Sequence, residues 1–337
     1  MKNLQEFLQG YYSRVIVLNF SKLKDRTILI TGASGLVGSN LLAYLNFLNE
    51  KEKLNLKIIA IHKSTLEKWM PKSTAIRYIK QDLTKKKLLI NFKFDYFIHC
   101  ATYAQPKKIL EYPKETIKLN VDVLFDLLEL TERNKATFLY ISSAEIYGEA
   151  DQDHIPTQES YFGNVNTLSD RAIYAESKRL AETICYFFSK RINIKIGRAL
   201  IGYGPGVKHD DKRVISEFIK KAQQEKEIVM MDEGLAERTF CFIIDLIEML
   251  LNIMLNGKEI AYNICGKDTI SIKDLAKSIA QINRVKFDYK FNGKTIHGTP
   301  MILTLNNNRY CNEFKKKTFI PLNIGLEITS EWFRNLK

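Results

Sequence analysis

The chain has 337 residues, long enough for one large domain or two modest ones around a substantial core. Its 51 Lys and Arg against 38 Asp and Glu give a net charge of +13, but the basic residues are spread out and no nucleic-acid-binding motif accompanies them, so no nucleic-acid partner is expected. Five cysteines (100, 185, 241, 265 and 311) lie far apart without a CxxC pair and five histidines are scattered, which argues against a disulfide framework or metal site and fits a cytoplasmic location.

Residues 1–25 read as a helical arm that packs on a partner subunit. Their apolar stretch Val15–Phe20 is too short for a secretory signal. From 26 to 200, short β-branched or aromatic runs alternate with longer helical stretches. Strands are expected at Thr27–Thr31, Lys57–Ile61, Arg77–Gln81, Tyr96–Ala101, Thr137–Ser142 and Ile194–Leu200. Helices are expected at Leu36–Asn49, Lys114–Asn134 and Arg171–Arg191. This alternation predicts βαβ units in a Rossmann-type, doubly wound parallel sheet, an α/β fold. Residues 201–337 read as a smaller α/β substrate domain, with some elements returning to the sheet. Its helices are expected at Lys212–Glu225, Ile243–Leu255 and Ile272–Asn283, with a strand at Ala261–Cys265. The apolar stretch Phe240–Leu255 is interrupted by Asp245, Glu248 and Asn252, so it is not expected to cross a membrane.

The first strand runs into Gly32-Ala33-Ser34-Gly35-Leu36-Val37-Gly38 and then an apolar helix. Gly32 permits a tight turn, Gly35 lets backbone approach a pyrophosphate, and Gly38 lets the helix pack closely. The helix N-terminus supplies free N–H groups to the diphosphate of NAD(P). An acidic residue is expected at the end of the second strand to hold the adenosine ribose. Here His62, Lys63 and Ser64 follow Ile61, so NADP is not excluded, and Lys63 or His62 could meet a 2′-phosphate. Asp82, with Leu83 beside it, is a candidate for the adenine end.

Tyr174 and Lys178 form a YxxxK pair on one helix face, about 30 residues after a buried strand ending in Ser142-Ser143. An ammonium beside the phenol is expected to lower its pKa toward the working range. Together these segments resemble the extended short-chain dehydrogenase/reductases, the NAD-dependent epimerases, dehydratases and decarboxylases of nucleotide sugars. The resemblance rests on 31–38, His99-Cys100-Ala101, Asn120, Ser142–Gly148, Tyr174–Lys178 and Gly202–Pro205, and covers nearly the whole chain after residue 25. It implies Tyr174 as base at a sugar 4-hydroxyl, Ser143 bonded to the same oxygen, and Lys178 also on the nicotinamide ribose. It implies cofactor contacts from Gly32, Ser34, Gly35, Leu36, Val37, Gly38, Lys63, Asp82, Leu83, Ala101 and Lys178. The partner it implies is a nucleotide-diphosphate sugar, UDP-linked, and the assembly a homodimer or higher homo-oligomer.

A finer resemblance is to UDP-glucuronate decarboxylases. It is carried by Tyr161–Asn166, Arg171–Tyr174, Lys178–Thr183, Lys212–Ile219, Glu237–Phe240 and Ala104-Gln105-Pro106. It implies substrate contacts from Ala104, Arg171, Arg213, Val214 and Arg238, and a role for Glu145 near C5. A 4,6-dehydratase usually has Asp followed by Glu where this chain has Ala144 and Glu145, so the acid that would expel a hydroxyl is missing. Ile201 stands where the family often has a diphosphate-contacting Asn. A nucleotide-sugar 4-epimerase, or a C4 dehydrogenase or reductase, remains the alternative. A non-catalytic NAD(P)-binding regulator is the distant one.

Overall fold

The computed structural model describes residues 4–290 and 301–336. In chain order the first half contains α1 (Leu4–Tyr12), β1 (Thr27–Thr31), α2 (Leu36–Glu52), β2 (Lys57–His62), β3 (Ile76–Lys80), β4 (Tyr96–His99), α3 (Pro106–Glu111), α4 (Pro113–Asn120), α5 (Asp122–Asn134), β5 (Thr137–Ser143), α6 (Ala172–Ser189) and β6 (Ile194–Ala199). There follow β7 (Ile201–Tyr203), α7 (Val214–Gln224), β8 (Glu227–Met230), β9 (Glu237–Phe242), α8 (Ile243–Asn256), β10 (Ala261–Ile264), β11 (Thr269–Ser271), α9 (Ile272–Asn283), β12 (Lys286–Tyr289), β13 (Ile302–Leu303), α10 (Asn308–Phe314) and α11 (Leu322–Asn335).

Seven parallel strands form one sheet in the order β10-β6-β5-β4-β1-β2-β3. The order reverses between β1 and β4, and in open α/β sheets the ligand crevice lies at the carboxyl ends of the strands at such a point. Both faces are covered, which explains why β1, β2 and β4 are apolar without alternation. One face carries Leu41, Leu45 and Leu48 of α2 with Ile247, Leu250 and Met254 of α8. The other carries Leu124, Leu127 and Leu128 of α5 with Ala181, Ile184 and Phe188 of α6. The strand near 261 belongs to this large sheet and pairs with β6. Beyond the sheet, β9 pairs with β7, β11 and β13, while β8 pairs with β12.

Three local features go beyond the expectation. The arm packs on its own chain. Leu8 and Tyr12 of α1 are buried in the chain's own core, and the extended segment after α1 lies along α8. The polar residues that interrupt α8 hold it there. Glu248 accepts from Ile16 N (3.0 Å), and Asn252 accepts from Leu18 N (2.8 Å) and donates to Ile16 O (2.9 Å). Lys316 neutralises Glu248 and Asp245 at 2.7 and 3.0 Å. Secondly, the long helix expected at 114–134 is two, broken at Val121. The break directs Asn120 to Thr102 Oγ1 and Ser177 Oγ, both at 2.9 Å. Thirdly, β4 stops at His99, because Cys100 and Ala101 turn closely past Gly32.

Candidate active site

The loop between β1 and α2 is shaped by its glycines. Gly32 has φ +69°, and a Cβ there would lie 2.7 Å from Ala101 N. At Gly38 a Cβ would overlap Gly32 O and stand 2.9 Å from Gly32 C. Gly35 is different: its φ is −84°, and a Cβ would meet only Gly32 O, at 3.3 Å. Gly35 is also the N-cap of α2 and offers no side-chain acceptor, so the first N–H groups of the helix stay available to an anion. The cleft above is lined by Gly32, Ser34, Gly35, Leu36, Val37 and Gly38, then by Lys63, Asp82, Leu83, Ala101 and Ala104. A narrow backbone cradle with an uncapped helix end fits a dinucleotide diphosphate.

At the adenosine end, Lys63 Nζ lies 3.0 Å from both Asp82 Oδ2 and Tyr103 Oη. Asp82 Oδ1 accepts from Thr84 N (3.0 Å) and Thr84 Oγ1 (2.7 Å). Partial burial pushes the Asp82 carboxyl up, but Thr84 and Lys63 more than offset it and hold it below the usual range. His62 faces inward, its Nδ1 2.8 Å from Ser64 O, so of the two residues that could meet a 2′-phosphate only Lys63 is placed to do so.

Ser143, Glu145 and Tyr174 line the same cleft where β5 ends. Ser143 hydrogen-bonds the Tyr174 phenol, and its Oγ accepts from Glu145 N at 3.2 Å. Lys178 is buried below them, donating to Ile141 O at 2.7 Å, with Nζ 4.5 Å from the Tyr140 ring centroid and 5.9 Å from that of Tyr174. Burial lowers the Lys178 ammonium to about 7, against the raising effects of Cys185, Cys100 and Glu182. The expectation that Lys178 lowers the Tyr174 phenol is not met by the protein's own groups. Burial raises it, the charge of Glu145 adds to that, and Ser143 and Arg171 only partly oppose. Desolvation disfavours the phenolate more than a half-titrated lysine can favour it. Next to them, His99 is buried and bonded to Thr31 Oγ1 (2.7 Å). Burial, then the Lys178 charge, depress it to about 3, so it is a neutral imidazole.

The expected substrate residues are placed unequally. Arg171 pairs with Glu145. Arg238 is close enough that burial, then the Arg171 charge, lower its pKa while Glu145 opposes, and it donates to Glu237 O (2.7 Å) and Met301 O (3.0 Å). Arg213 lines the cleft but is committed to Asp211, with Nε 2.9 Å and Nη2 2.8 Å from Oδ2, and it donates from Nη1 to Gly202 O at 3.0 Å. Val214 opens α7 and lines a small adjoining cavity with Gly202 rather than the main cleft. Sequence reasoning missed Thr102, Tyr103, Gln105 and Asp211, all of which line the cleft. Among the described residues no cluster of three or more His, Cys, Asp or Glu could hold a metal, and no helix is long and apolar enough to cross a membrane.

The family model described as the NAD dependent epimerase/dehydratase family matches residues 28–265. The chain belongs to this family. It is therefore an NAD-dependent enzyme, and the glycine loop and the serine, tyrosine and lysine sit in the matched segment. UDP-glucuronic acid decarboxylase 6 of Arabidopsis thaliana is 33% identical over 282 residues, covering 81% of this chain and 78% of the relative. UDP-glucuronic acid decarboxylase 1 of Xenopus tropicalis is 29% identical over 83% of this chain and 66% of its own. UDP-glucose 4-epimerase of Thermotoga maritima superposes with a TM-score of 0.78 at 19% identity, covering 92% of this chain and 99% of that one. UDP-glucuronic acid 4-epimerase of Bacillus cereus, solved with UDP-glucuronic acid and NAD, gives 0.76 at 21% identity over 92% and 100%. At these identities the structural matches establish the fold alone, in agreement with the Rossmann-type sheet.

Proposed function

We propose that this family member decarboxylates a UDP-linked uronic acid, with Ser143, Glu145, Tyr174 and Lys178 carrying the chemistry. NAD, when bound, supplies the hydride acceptor for C4 of the sugar. With the positive charge of a bound nicotinamide offsetting the burial that keeps the Tyr174 phenol protonated, Tyr174 would take the proton of the C4 hydroxyl as the phenolate, and Ser143 beside it would steady the same oxygen. Lys178 would help hold the nicotinamide ribose. The resulting 4-ketone is β to the C6 carboxylate, so the C5–C6 bond breaks with its electron pair passing into an enolate, and carbon dioxide leaves. Protonation of the enolate at C5 then falls beside Glu145, and return of the hydride to C4 would give the UDP-pentose, while release before that return would give its 4-keto form. Arg171 and Arg238 outnumber the single carboxylate of Glu145, which suits an anionic sugar and diphosphate.

The observation that carries the choice is Ala144. It is buried at the cleft, so a methyl group stands where water elimination would need a proton donor. General acid help is typically worth about 10²- to 10⁴-fold, and loss of carbon dioxide from a β-keto acid does not require it. The decarboxylases among the relatives support the same reading. The test offers UDP-glucuronate and UDP-glucose side by side. Carbon dioxide with a UDP-pentose or its 4-keto form is expected. A 4-keto-6-deoxy product from the neutral sugar, or inversion at C4 with the carboxylate retained, would show the assignment to be wrong.

The setting we propose is a cytoplasmic homo-oligomer. Phe125 on α5 and Leu180, Tyr186 and Phe187 on α6 expose apolar surface on adjacent helices, a face that suits a second copy.

A further inference from the structure

The adenosine end of the cleft carries a cation where a carboxylate would select against a 2′-phosphate. A carboxylate ending the second strand accepts from the ribose 2′-hydroxyl of NAD and repels the phosphate of NADP, whereas a cation there accommodates the phosphate. In this chain β2 is followed by Lys63, and its side chain is half exposed in the cleft. An ammonium has three donors, and Lys63 spends two, on Asp82 and Tyr103. Tyr103 is held by stacking on Tyr112, with ring centroids 5.1 Å apart and planes at 15°. The nearby carboxylate, Asp82, is occupied on both oxygens, by Thr84 and by Lys63 itself, so its charge is largely compensated. His62 is buried and bonded to Ser64 O, and among the described residues Lys63 is the one cation beside Ser64, Gln81 and Asp82 in the lining at this end.

We propose that Lys63 determines cofactor selectivity and makes this cleft accept the 2′-phosphate of NADP alongside NAD. The claim rests on the dinucleotide cleft and is independent of the sugar reading. It is tested by calorimetric titration of the wild-type protein, Lys63→Gln and Lys63→Asp with NAD⁺ and NADP⁺. The wild type should bind both within about tenfold of each other. Losing a hydrogen bond to a charged group should lower the NADP⁺ to NAD⁺ affinity ratio by on the order of ten- to a hundredfold in Lys63→Gln, and further in Lys63→Asp. Added salt should weaken NADP⁺ binding more than NAD⁺ binding. A wild type that binds NADP⁺ more than about a hundredfold more weakly than NAD⁺, or a ratio unchanged in Lys63→Gln, would overturn the proposal. Binding of neither dinucleotide would overturn the cofactor cleft as well, whatever the outcome with UDP-sugars.

Discussion

Gly35 and Gly38 stand three residues apart, yet substituting them should do different things. At Gly38 an added Cβ would overlap the Gly32 carbonyl, a backbone atom that cannot rotate away. Gly38→Ala must therefore push α2 off the turn after β1. Overpacking of this kind costs about 1–3 kcal/mol, and more where only backbone can yield. In a chain this long each kcal/mol lowers Tm by roughly 2–4 °C, so a fall of about 2–12 °C is expected. The moved helix end should also bind NAD⁺ more weakly. At Gly35 the φ of −84° suits any residue, and the nearest atom to a Cβ is 3.3 Å away. Gly35→Val should lower Tm by less than Gly38→Ala, because its one tight contact is relieved by a shift of a few tenths of an ångström. Its side chain would nevertheless occupy the diphosphate's approach and remove NAD⁺ binding. The assay is thermal unfolding without ligand beside calorimetric titration with NAD⁺. Wild-type affinity in Gly35→Val, or an unchanged Tm in Gly38→Ala, would refute this division of roles.

Two further outcomes follow from the catalytic end. Tyr174→Phe removes one hydroxyl and should reduce turnover by about 10²-fold or more with the fold intact; near wild-type rates on the true substrate would remove Tyr174 from the mechanism. Lys178 bears on stability as a function of pH. Its folded value is depressed to about 7 from 10.5, so above about pH 7 the unfolded chain binds a proton that the folded chain does not. Stability attributable to this residue should therefore rise with pH across that window, by at most about 1.4 kcal/mol per pH unit. Unfolding of wild type and Lys178→Met between about pH 7 and pH 9 isolates the effect from the buried tyrosines. Wild type should gain stability relative to Lys178→Met as pH rises, and a constant difference would mean that Lys178 does not titrate there.

What could be read from sequence was whatever is local. The strand, glycine loop and helix at 27–52 are contiguous, and each glycine answers to a neighbour within six residues or to the adjacent strand end. The YxxxK pair was legible because one helical turn joins its members. Other features depend on distant partners. The arm is fixed by bonds to Glu248 and Asn252, more than 230 residues away, which no periodicity in 1–25 could reveal. Arg213, expected to contact substrate, is by contrast tied locally, its guanidinium paired with Asp211 two residues upstream. The break at Val121 carries no Pro or Gly, so 114–134 read as one helix. The Tyr174 phenol was misjudged because its neighbour along the helix is visible in sequence while its burial is not.

The two ends of the cleft are built by different means, and this bears on what distinguishes one member of the family from another. The diphosphate end is mostly backbone, set by three glycines and a helix N-terminus, and so tolerates wide variation elsewhere. The sugar end depends on side chains from separate elements meeting within hydrogen-bond range. Ser143 closes β5 and Tyr174 opens α6, and the tie between these elements is partly buried. Glu182, one turn after Lys178, accepts from Ser142 Oγ at 2.6 Å and from Arg198 Nη2 at 2.7 Å. Arg198 in turn donates to Tyr147 Oη (2.8 Å) and Glu159 O (3.0 Å). Breaking the pair would leave a partly desolvated charge without its partner, so the network ties the end of β5 to α6. Ala144 packs in a small apolar cluster with Ile146, Tyr147 and Leu200 at the same strand end. On the reading proposed above, oxidation at C4 would belong to this frame, and the fate of the 4-ketone to the side chains that line the cleft beside it.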